Sequence, residues 1–257
     1  MASQILYSVD EGAGIASVTL DRPGRRNALN RALVEELKEA LTLAESDERV
    51  RVIVIAGSGP DFCAGADLRE LQQAVEAGPD VSLAEAQALG DLFILIRKIE
   101  KPVVALVHGQ ALAGGAGLAT ACDLVLARSD VRLGYPEVRL GFVPAMVMAI
   151  LRRSLGEKRA FEMIALGDSI DADTAYRFGL VNRVFEAESF DGEAAAFLET
   201  LASRSASAVA LSKRLLYQIE GASFEAAIHE GAQVNVIARE TDDCREGVRR
   251  FLERADR

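Results

Sequence analysis

The sequence contains little cysteine and lacks the close cysteine pairs that bind metals. Its three cysteines, Cys63, Cys122 and Cys244, are scattered and odd in number. Without a Cys-x-x-Cys pair they are typical of reduced thiols, so we expect neither a disulfide framework nor a metal site. The first twelve residues also lack a basic segment followed by an apolar one, which argues against a secretory signal. We therefore expect a soluble cytoplasmic protein.

Basic charge is scarce as well. The chain has 29 lysines and arginines against 39 aspartates and glutamates, a net charge of −10. Nucleic acids and anionic membranes both require a basic surface, so neither is expected as a partner. Residues 102–122 form an uncharged run, but its proline, histidine, glutamine and four glycines favour a buried strand, loop and helix over a membrane-spanning helix. The sequence also lacks low-complexity segments and internal repeats.

Apolar patterns predict several strands and helices. Residues 50–57 (VRVIVIAG) and residues 102–109 (PVVALVHG) are continuous apolar runs, which are typical of strands buried on both faces. Residues 15–20 (IASVTL) are rich in β-branched side chains and predict another strand. An amphipathic helix is predicted where leucine recurs at every fourth position, at Leu29, Leu33, Leu37 and Leu41.

Further along the chain, helices gradually replace the strands. Residues 145–156 (AMVMAILRRSLG) predict a helix that ends on Gly156, and a later helix is expected to end at Gly179. Strands that alternate with helices, followed by helices alone, indicate an α/β fold with a helical C-terminal part. We place the core at residues 1–189 and the helical region at residues 190–257.

Two glycine-rich loops are the strongest functional signal. Residues 62–68 (FCAGADL) and residues 112–118 (LAGGAGL) each follow a predicted buried strand and each begin a helix. Backbone N–H groups at a helix start lack partners and lie at the positive end of the helix dipole. Two such groups that converge form an oxyanion hole, and small residues allow a substrate carbonyl to approach them. The loops therefore predict a site that stabilises an oxyanion.

A dinucleotide-binding loop is the alternative interpretation of the second loop. Gly115 and Gly117 supply the first two glycines of a Gly-x-Gly-x-x-Gly motif, but Thr120 occupies the third position. Glu137 is spaced like a ribose-binding acid, yet it follows Pro136 in a predicted loop and not at a strand end. The partial motif is a weak signal, so this interpretation is not favoured.

The order and spacing of five segments resemble the crotonase, or enoyl-CoA hydratase/isomerase, superfamily. These segments are RRNALN, DFCAGADL, HGQALAGGAGLATACDLVLA, LGYPEVRLGFVP and GLVNRV. The resemblance runs from about Ile15 to Val184. It implies a spiral of ββα units followed by a helical trimerisation region, and a homotrimer or homohexamer. It also implies an acyl-CoA thioester as the substrate, with coenzyme A carried by the substrate and no separate cofactor.

The resemblance further implies which residues form the site. The thioester oxygen would lie between the backbone N–H groups of Ala66 and Gly114. The first of the two glutamates that hydratases of the family use falls on Gly117, whereas the second falls on Glu137 and is present. Ala145 stands where related dienoyl-CoA isomerases have an aspartate. The resemblance therefore implies a site with one carboxylate.

The resemblance implies coenzyme A contacts for two segments of the chain, residues 25–29 and residues 64–67. In the first, Arg25 or Arg26 would contact phosphate; in the second, Asp67 is expected to cap the following helix and not to act as a catalyst. The segment 249–254 (RRFLER) resembles the C-terminal helix that contacts a neighbour's coenzyme A. The residues expected to contact coenzyme A are Arg25, Ala28, Ala64, Asp67 and Leu68.

Several functions are compatible with this set of residues. Similarity to bacterial enoyl-CoA hydratases that also lack the first glutamate favours hydration of a 2-enoyl-CoA, as in fatty acid metabolism. A Δ3,Δ2-enoyl-CoA isomerase is the alternative, because a single glutamate such as Glu137 can carry a proton between two carbons. Thioester hydrolysis, dehalogenation and decarboxylation are less favoured, because the sequence lacks the additional acids or histidines that these reactions would need at the aligned positions. A non-catalytic scaffold or RNA-binding member is disfavoured by the acidic charge and by the retained Ala66, Gly114 and Glu137.

Overall fold

The structure, a computed structural model, describes residues 3–255 of the chain. Within these residues it contains two β-sheets and a series of α-helices. The strands are β1 (Ile5–Asp10), β2 (Ile15–Leu20), β3 (Val52–Gly57), β4 (Val103–Val107), β5 (Gln110–Leu112), β6 (Leu124–Arg128), β7 (Arg132–Gly134), β8 (Ser169–Asp171) and β9 (Arg183–Phe185).

The helices surround the sheets and dominate the C-terminal part. Short 3₁₀ helices also occur at Pro23–Arg25 and Pro136–Leu140. None of the helices within residues 3–255 is both long enough and apolar enough to cross a membrane. The α-helices are α1 (Arg31–Ser46), α2 (Leu68–Ala77), α3 (Pro79–Lys98), α4 (Gly114–Ala121), α5 (Ala145–Ser154), α6 (Glu157–Leu166), α7 (Ala172–Phe178), α8 (Phe190–Ala202), α9 (Ala206–Gln218), α10 (Phe224–Glu240) and α11 (Asp242–Ala255).

The larger sheet determines where the functional loops lie. Its strand order is β1-β2-β3-β4-β6-β9, and all neighbours are parallel except β1 and β2. The smaller sheet has the order β5-β7-β8, with β5 parallel to β7. Because β2, β3 and β4 run in the same direction, the loops that follow them emerge at one edge of the sheet. In open α/β sheets this edge is where ligands bind.

The sheet is covered on both faces, as the continuous apolar runs predicted. On β3, Ile53 and Ile55 belong to the main core, while Val52 and Val54 pack in a second apolar cluster with residues of α8. Leucines of α1 are fully buried in the main core at every fourth position from Leu33. The prediction that this helix includes Leu29 is wrong, because Asn30 caps the helix and α1 begins at Arg31. The α/β architecture expected from the sequence is confirmed.

A buried charge network anchors the C-terminal helices to the core. The Lys213 ammonium group, on α9, donates to Asp123 Oδ2 at 2.6 Å and to the carbonyl oxygens of Ile96 and Lys101 at 3.0 Å each. The Tyr217 hydroxyl donates to the other carboxylate oxygen of Asp123 at 2.6 Å. Because all three ammonium donors have acceptors, the buried charge of Lys213 is compensated.

Helices do begin at Phe190, as the pattern predicted. Helix α8 nevertheless packs on the large sheet, so the division into residues 1–189 and residues 190–257 stays a prediction. The outer ends of these two ranges, residues 1, 2, 256 and 257, lie outside the described residues.

The prediction that a helix ends on Gly156 is wrong. Helix α5 ends at Ser154, and both Leu155 and Gly156 adopt extended backbone conformations before α6 begins at Glu157. The chain leaves the helix at Leu155, one residue before the glycine, and the side chain of Leu155 is buried. Gly179 does end α7 in the left-handed conformation that was expected of it. Strand β5 was missed because three residues are too few to show a pattern.

Candidate active site

The two glycine-rich loops lie side by side and are hydrogen-bonded to each other. The backbone N–H of Cys63 donates to the carbonyl of Gln110, and the N–H of Leu112 donates to the carbonyl of Cys63, both at 3.0 Å. These bonds form an isolated parallel bridge between Cys63 and Ala111. The first loop therefore extends along β5, and this pairing brings Ala66 towards the start of α4.

Gly65 allows the loops to approach this closely. Its φ of +96° is unfavourable for any residue with a side chain. A Cβ at this position would lie 2.8 Å from the Ala113 Cβ and 2.9 Å from the Leu112 carbonyl oxygen. Glycine is therefore required here both for conformation and for space.

The N–H of Ala66 has no acceptor within residues 3–255. The neighbouring residues pair with Leu29: its N–H donates to the Gly65 carbonyl at 2.7 Å, and its carbonyl accepts from the Asp67 N–H at 2.9 Å. In such a parallel bridge the N–H of the middle residue, Ala66, points away from Leu29. Asp67 caps α2 by accepting from the N–H of Arg69 at 3.2 Å. This is the capping role that the sequence predicted.

The N–H of Gly114 is the second donor without an acceptor in the described part of the chain. Gly114 is the first residue of α4, so its N–H has no acceptor within the helix. The preceding Ala113 has φ +51° and ψ −124°, a strained conformation for a residue with a side chain, and its N–H donates to the Gly134 carbonyl at 2.8 Å. The Cβ position of Gly114 lies 3.8 Å from the Ala66 nitrogen. Within residues 3–255 neither N–H makes a hydrogen bond, so two donors without acceptors lie near each other, as an oxyanion hole requires.

Glu137 lies in the 3₁₀ helix that follows β7. Strands β5 and β7 pair with Leu112 opposite Gly134, so the chain leads from this pair to Gly114 on one side and to Glu137 on the other. The residue is 8% exposed, and within the described chain its Oε2 atom is buried without a hydrogen-bond partner. Burial raises the pKa of the Glu137 carboxyl, an effect that its own backbone N–H partly offsets. It is the kind of group that acts as a general base.

A second carboxylate is sterically excluded at Gly117. One turn into α4, a Cβ on Gly117 would overlap the Cγ1 methyl of Val147 and lie 3.1 Å from the Phe93 ring. Val147 and Phe93 are both buried, so neither can move aside cheaply.

Within residues 3–255 no three His, Cys, Asp or Glu side chains are grouped as they would be around a metal ion.

Arg22 was missed by the sequence analysis and joins the two segments expected to contact coenzyme A. Its guanidinium group donates to the Ala28 carbonyl and, at 3.0 Å, to Asp67 Oδ2. Both charged side chains are largely buried. Arg22 lies two residues after the end of β2, so a charged residue close to a strand end was the available signal.

The remaining residues expected around coenzyme A border the same edge. The N–H of Ala64 donates to the carbonyl of Arg26, whose side chain forms an ion pair with Asp61 at 2.7 Å. Arg25 and Leu68 are exposed beside these segments. The roles of Arg25, Ala28, Ala64, Asp67 and Leu68 in coenzyme A binding stay predictions.

Two candidate reactive side chains have structural contacts instead. The His108 Nε2 atom lies 2.9 Å from the Gly59 carbonyl oxygen and can donate to it. The Cys63 thiol is fully buried, donates to the Asn27 carbonyl at 3.1 Å, and has a pKa raised to about 12 by burial. The buried Cys63 thiol is therefore not suited to act as a nucleophile.

Comparisons with known proteins agree on one family. The family model for enoyl-CoA hydratase/isomerase matches residues 10–257. A putative enoyl-CoA hydratase of Thermus thermophilus is 40% identical over 249 residues, covering 97% of this chain and 98% of that protein. A 2,3-dehydroadipyl-CoA hydratase of Escherichia coli is 34% identical, covering 92% and 91%. The crystal structure of a Mycobacterium smegmatis enoyl-CoA hydratase has a TM-score of 0.93 at 34% identity, covering 98% of this chain and 97% of that one. The crotonase fold implied by the motifs is therefore confirmed.

Proposed function

Because the chain belongs to the enoyl-CoA hydratase/isomerase family, whose members act on acyl-CoA thioesters, we propose that it hydrates a 2-enoyl-CoA. In this proposal the N–H groups of Ala66 and Gly114 bind the thioester oxygen and Glu137 is the only acid–base group. Water adds across the 2,3 double bond. The hydratase names of similar proteins from Thermus thermophilus and Escherichia coli support this reaction.

One observation carries the proposal: two backbone N–H groups without acceptors in the described residues lie in adjacent loops, and the paired strands β5 and β7 lead from one of them, that of Gly114, to the buried carboxylate of Glu137. The donors of Ala66 and Gly114 make no hydrogen bond within the described residues, and their nitrogen atoms belong to loops held together by backbone bonds. Such fixed donors stabilise negative charge that develops on a carbonyl oxygen without having to reorganise. A 2-enoyl-CoA thioester develops this charge when a nucleophile adds to C3.

Glu137 would carry one proton through the whole reaction. Its carboxylate removes a proton from water while the water oxygen bonds to C3, and the electrons of the double bond move onto the thioester oxygen. The N–H groups of Ala66 and Gly114 stabilise this enolate. The Glu137 carboxyl then returns the proton to C2, which restores the carboxylate and gives the 3-hydroxyacyl thioester. Every atom of the water molecule is thereby accounted for, and no second acid is needed.

Isomerisation of a 3-enoyl-CoA is the second candidate, and the packing at Gly117 favours it. Val147 and Phe93 occupy the space that a carboxylate for orienting water would need. An isomerase needs no water: Glu137 would remove a proton from C2, the enolate would be held as before, and the proton would return to C4. Both reactions use the same oxyanion hole and the same base.

We extend the proposal to the surroundings of the reaction. Coenzyme A would arrive as part of the substrate, with no separate cofactor, in a cytoplasmic homotrimer or homohexamer. Arg25 would contact a phosphate of coenzyme A, since it is exposed next to the segment that Arg22 ties to Asp67.

Two substrates assayed in parallel test the proposal. Purified protein is given a trans-2-enoyl-CoA and, separately, the matching 3-enoyl-CoA, and absorbance of the conjugated thioester is followed. Loss of absorbance with the first substrate supports hydration. A gain with the second substrate alone supports isomerisation and contradicts hydration. No change with either substrate, over a series of acyl lengths, contradicts both.

A further inference from the structure

Tyr135 is a fully buried tyrosine two residues before Glu137, and its hydroxyl is not needed for the proposed chemistry. The Tyr135 oxygen lies 3.3 Å from the Oγ1 atom of Thr120, on α4. The Thr120 hydroxyl donates its single hydrogen to the Ala116 carbonyl at 2.8 Å, as is common within helices. Tyr135 is therefore the donor in the bond between the two side chains.

Glu137 depends on its backbone for its position. Within the described chain the buried Oε2 atom has no partner that would orient the carboxylate. The residues that follow are at the surface, with Val138 and Leu140 exposed by 42% and 67%. The deep anchor of this segment is accordingly on the side that precedes Glu137, where Tyr135 enters the core.

Two hydrogen bonds connect the segment that carries Glu137, residues 134–137, to the two ends of α4. The Ala113 N–H donates to the Gly134 carbonyl at 2.8 Å next to the start of the helix, and Tyr135 reaches Thr120 near its end. Gly114, the proposed oxyanion donor, is the first residue of that helix. The segment that carries the base and the helix that carries the donor are therefore tied at two separated points.

We infer that Tyr135 is a positioning residue, whose hydrogen bond to Thr120 holds the Glu137 carboxylate at the working distance from the Gly114 N–H. The inference rests on the proposed role of Glu137 as the base. It holds for hydration and isomerisation alike, because both need the carboxylate and the oxyanion donor in one fixed geometry. A displacement of about 1 Å between such groups can reduce a rate by about 10²-fold.

Removing either side of the bond tests the inference. Tyr135→Phe keeps the ring and removes the donor, and Thr120→Val keeps the shape and removes the acceptor. We expect each to lower kcat by about tenfold with KM within about twofold, since the substrate contacts stay and the base shifts. Thr120→Ser retains the hydroxyl and should restore most of the activity. Tyr7→Phe is the control, because it removes a buried tyrosine hydroxyl from β1, where Oη has no partner within residues 3–255.

A second measurement does not depend on turnover. The carboxyl carbon of Glu137 is observed by ¹³C NMR in protein labelled on glutamate, with Glu137→Gln used for assignment. If Tyr135 holds the segment in place, Tyr135→Phe admits water to the carboxylate, and the pKa moves down towards its ordinary value. Tyr7→Phe should leave it unchanged.

Each outcome decides a different question. Unchanged kcat and an unchanged Glu137 titration in both Tyr135→Phe and Thr120→Val would overturn the inference. A wild-type protein inactive on every enoyl-CoA would instead contradict the proposed function, and the titration would still report whether Tyr135 positions Glu137. If one variant fails to fold, the other carries the same test from the opposite side of the bond.

Discussion

The Cγ1 methyl of Val147, on α5, fills the space directly in front of the Gly117 Cα on α4. Helices α4 and α5 therefore pack without room for any side chain at position 117. This contact bears on the number of carboxylates proposed for the site, because the resemblance places the first of the two glutamates of the family's hydratases at this position.

Substitution of Gly117 by alanine should destabilise the protein. The added Cβ would overlap Val147 and crowd Phe93, and overpacking of this kind costs about 1–3 kcal/mol. Gly192→Ala in α8 is the matched control, since a Cβ there meets nothing within 4 Å. The control should stabilise its helix by about 0.5–1 kcal/mol. Chemical denaturation of both variants compares the free energies of unfolding, and effects of the same sign would contradict the described packing.

Substitution of Gly65 by alanine should damage the oxyanion hole. Its Cβ would push against Ala113 and separate the loops that carry the Ala66 and Gly114 N–H groups. Loss of one such donor reduces kcat by about 10²–10³-fold in other enzymes, and we expect a loss of about 10²-fold here. Gly78→Ala is the control that distinguishes the effect of backbone strain from that of the steric clash, because Gly78 also has a positive φ but has open space around it. Steady-state kinetics should show a kcat near that of the wild type for Gly78→Ala.

Replacing Glu137 by glutamine should abolish turnover and preserve binding. Removal of a general base costs about 10²–10⁴-fold in kcat, while the two N–H groups can still hold a thioester. Glu162→Gln, an exposed change on α6, controls for loss of one negative charge. Kinetics and calorimetric titration with a saturated acyl-CoA distinguish the two effects. Turnover by Glu137→Gln at the wild-type rate would remove Glu137 from the site.

As the pH is lowered, activity should begin to fall at a higher pH than it would if the base were a glutamate of ordinary pKa. The base works as a carboxylate, and burial raises its pKa above about 4.5, so protonation inactivates the enzyme as the pH falls through that raised value. The contribution of Glu137 to folding stability changes in the opposite direction as the pH falls. Between the pKa of the unfolded chain and that of the folded chain, the folded state holds the extra proton, so Glu137 destabilises the fold less as the pH falls. Comparing the thermal midpoints of wild type and Glu137→Gln across pH isolates this contribution, and a gap that widens at acid pH would contradict the sign.

Much of the local structure follows from short-range patterns in the sequence. The β-branched run at residues 15–20 and the apolar run ending at Gly57 form strands where they were predicted. The leucine spacing from Leu33 describes the buried face of α1. These patterns are reliable because a strand covered on both faces, or a helix covered on one, must be apolar there whatever its partners are.

The sequence by itself also determined the family and the pair of glycine-rich loops, since small residues before a helix permit the close approach that an oxyanion hole requires. Tertiary structure decided what contacts what. Val147 is distant in sequence from Gly117, Arg22 from Asp67, and Tyr135 from Thr120. Such pairs leave no local pattern, because packing and hydrogen bonding between distant segments depend on how the whole chain folds. The exclusion of a side chain at position 117 and the proposed anchoring of Glu137 both depend on those contacts.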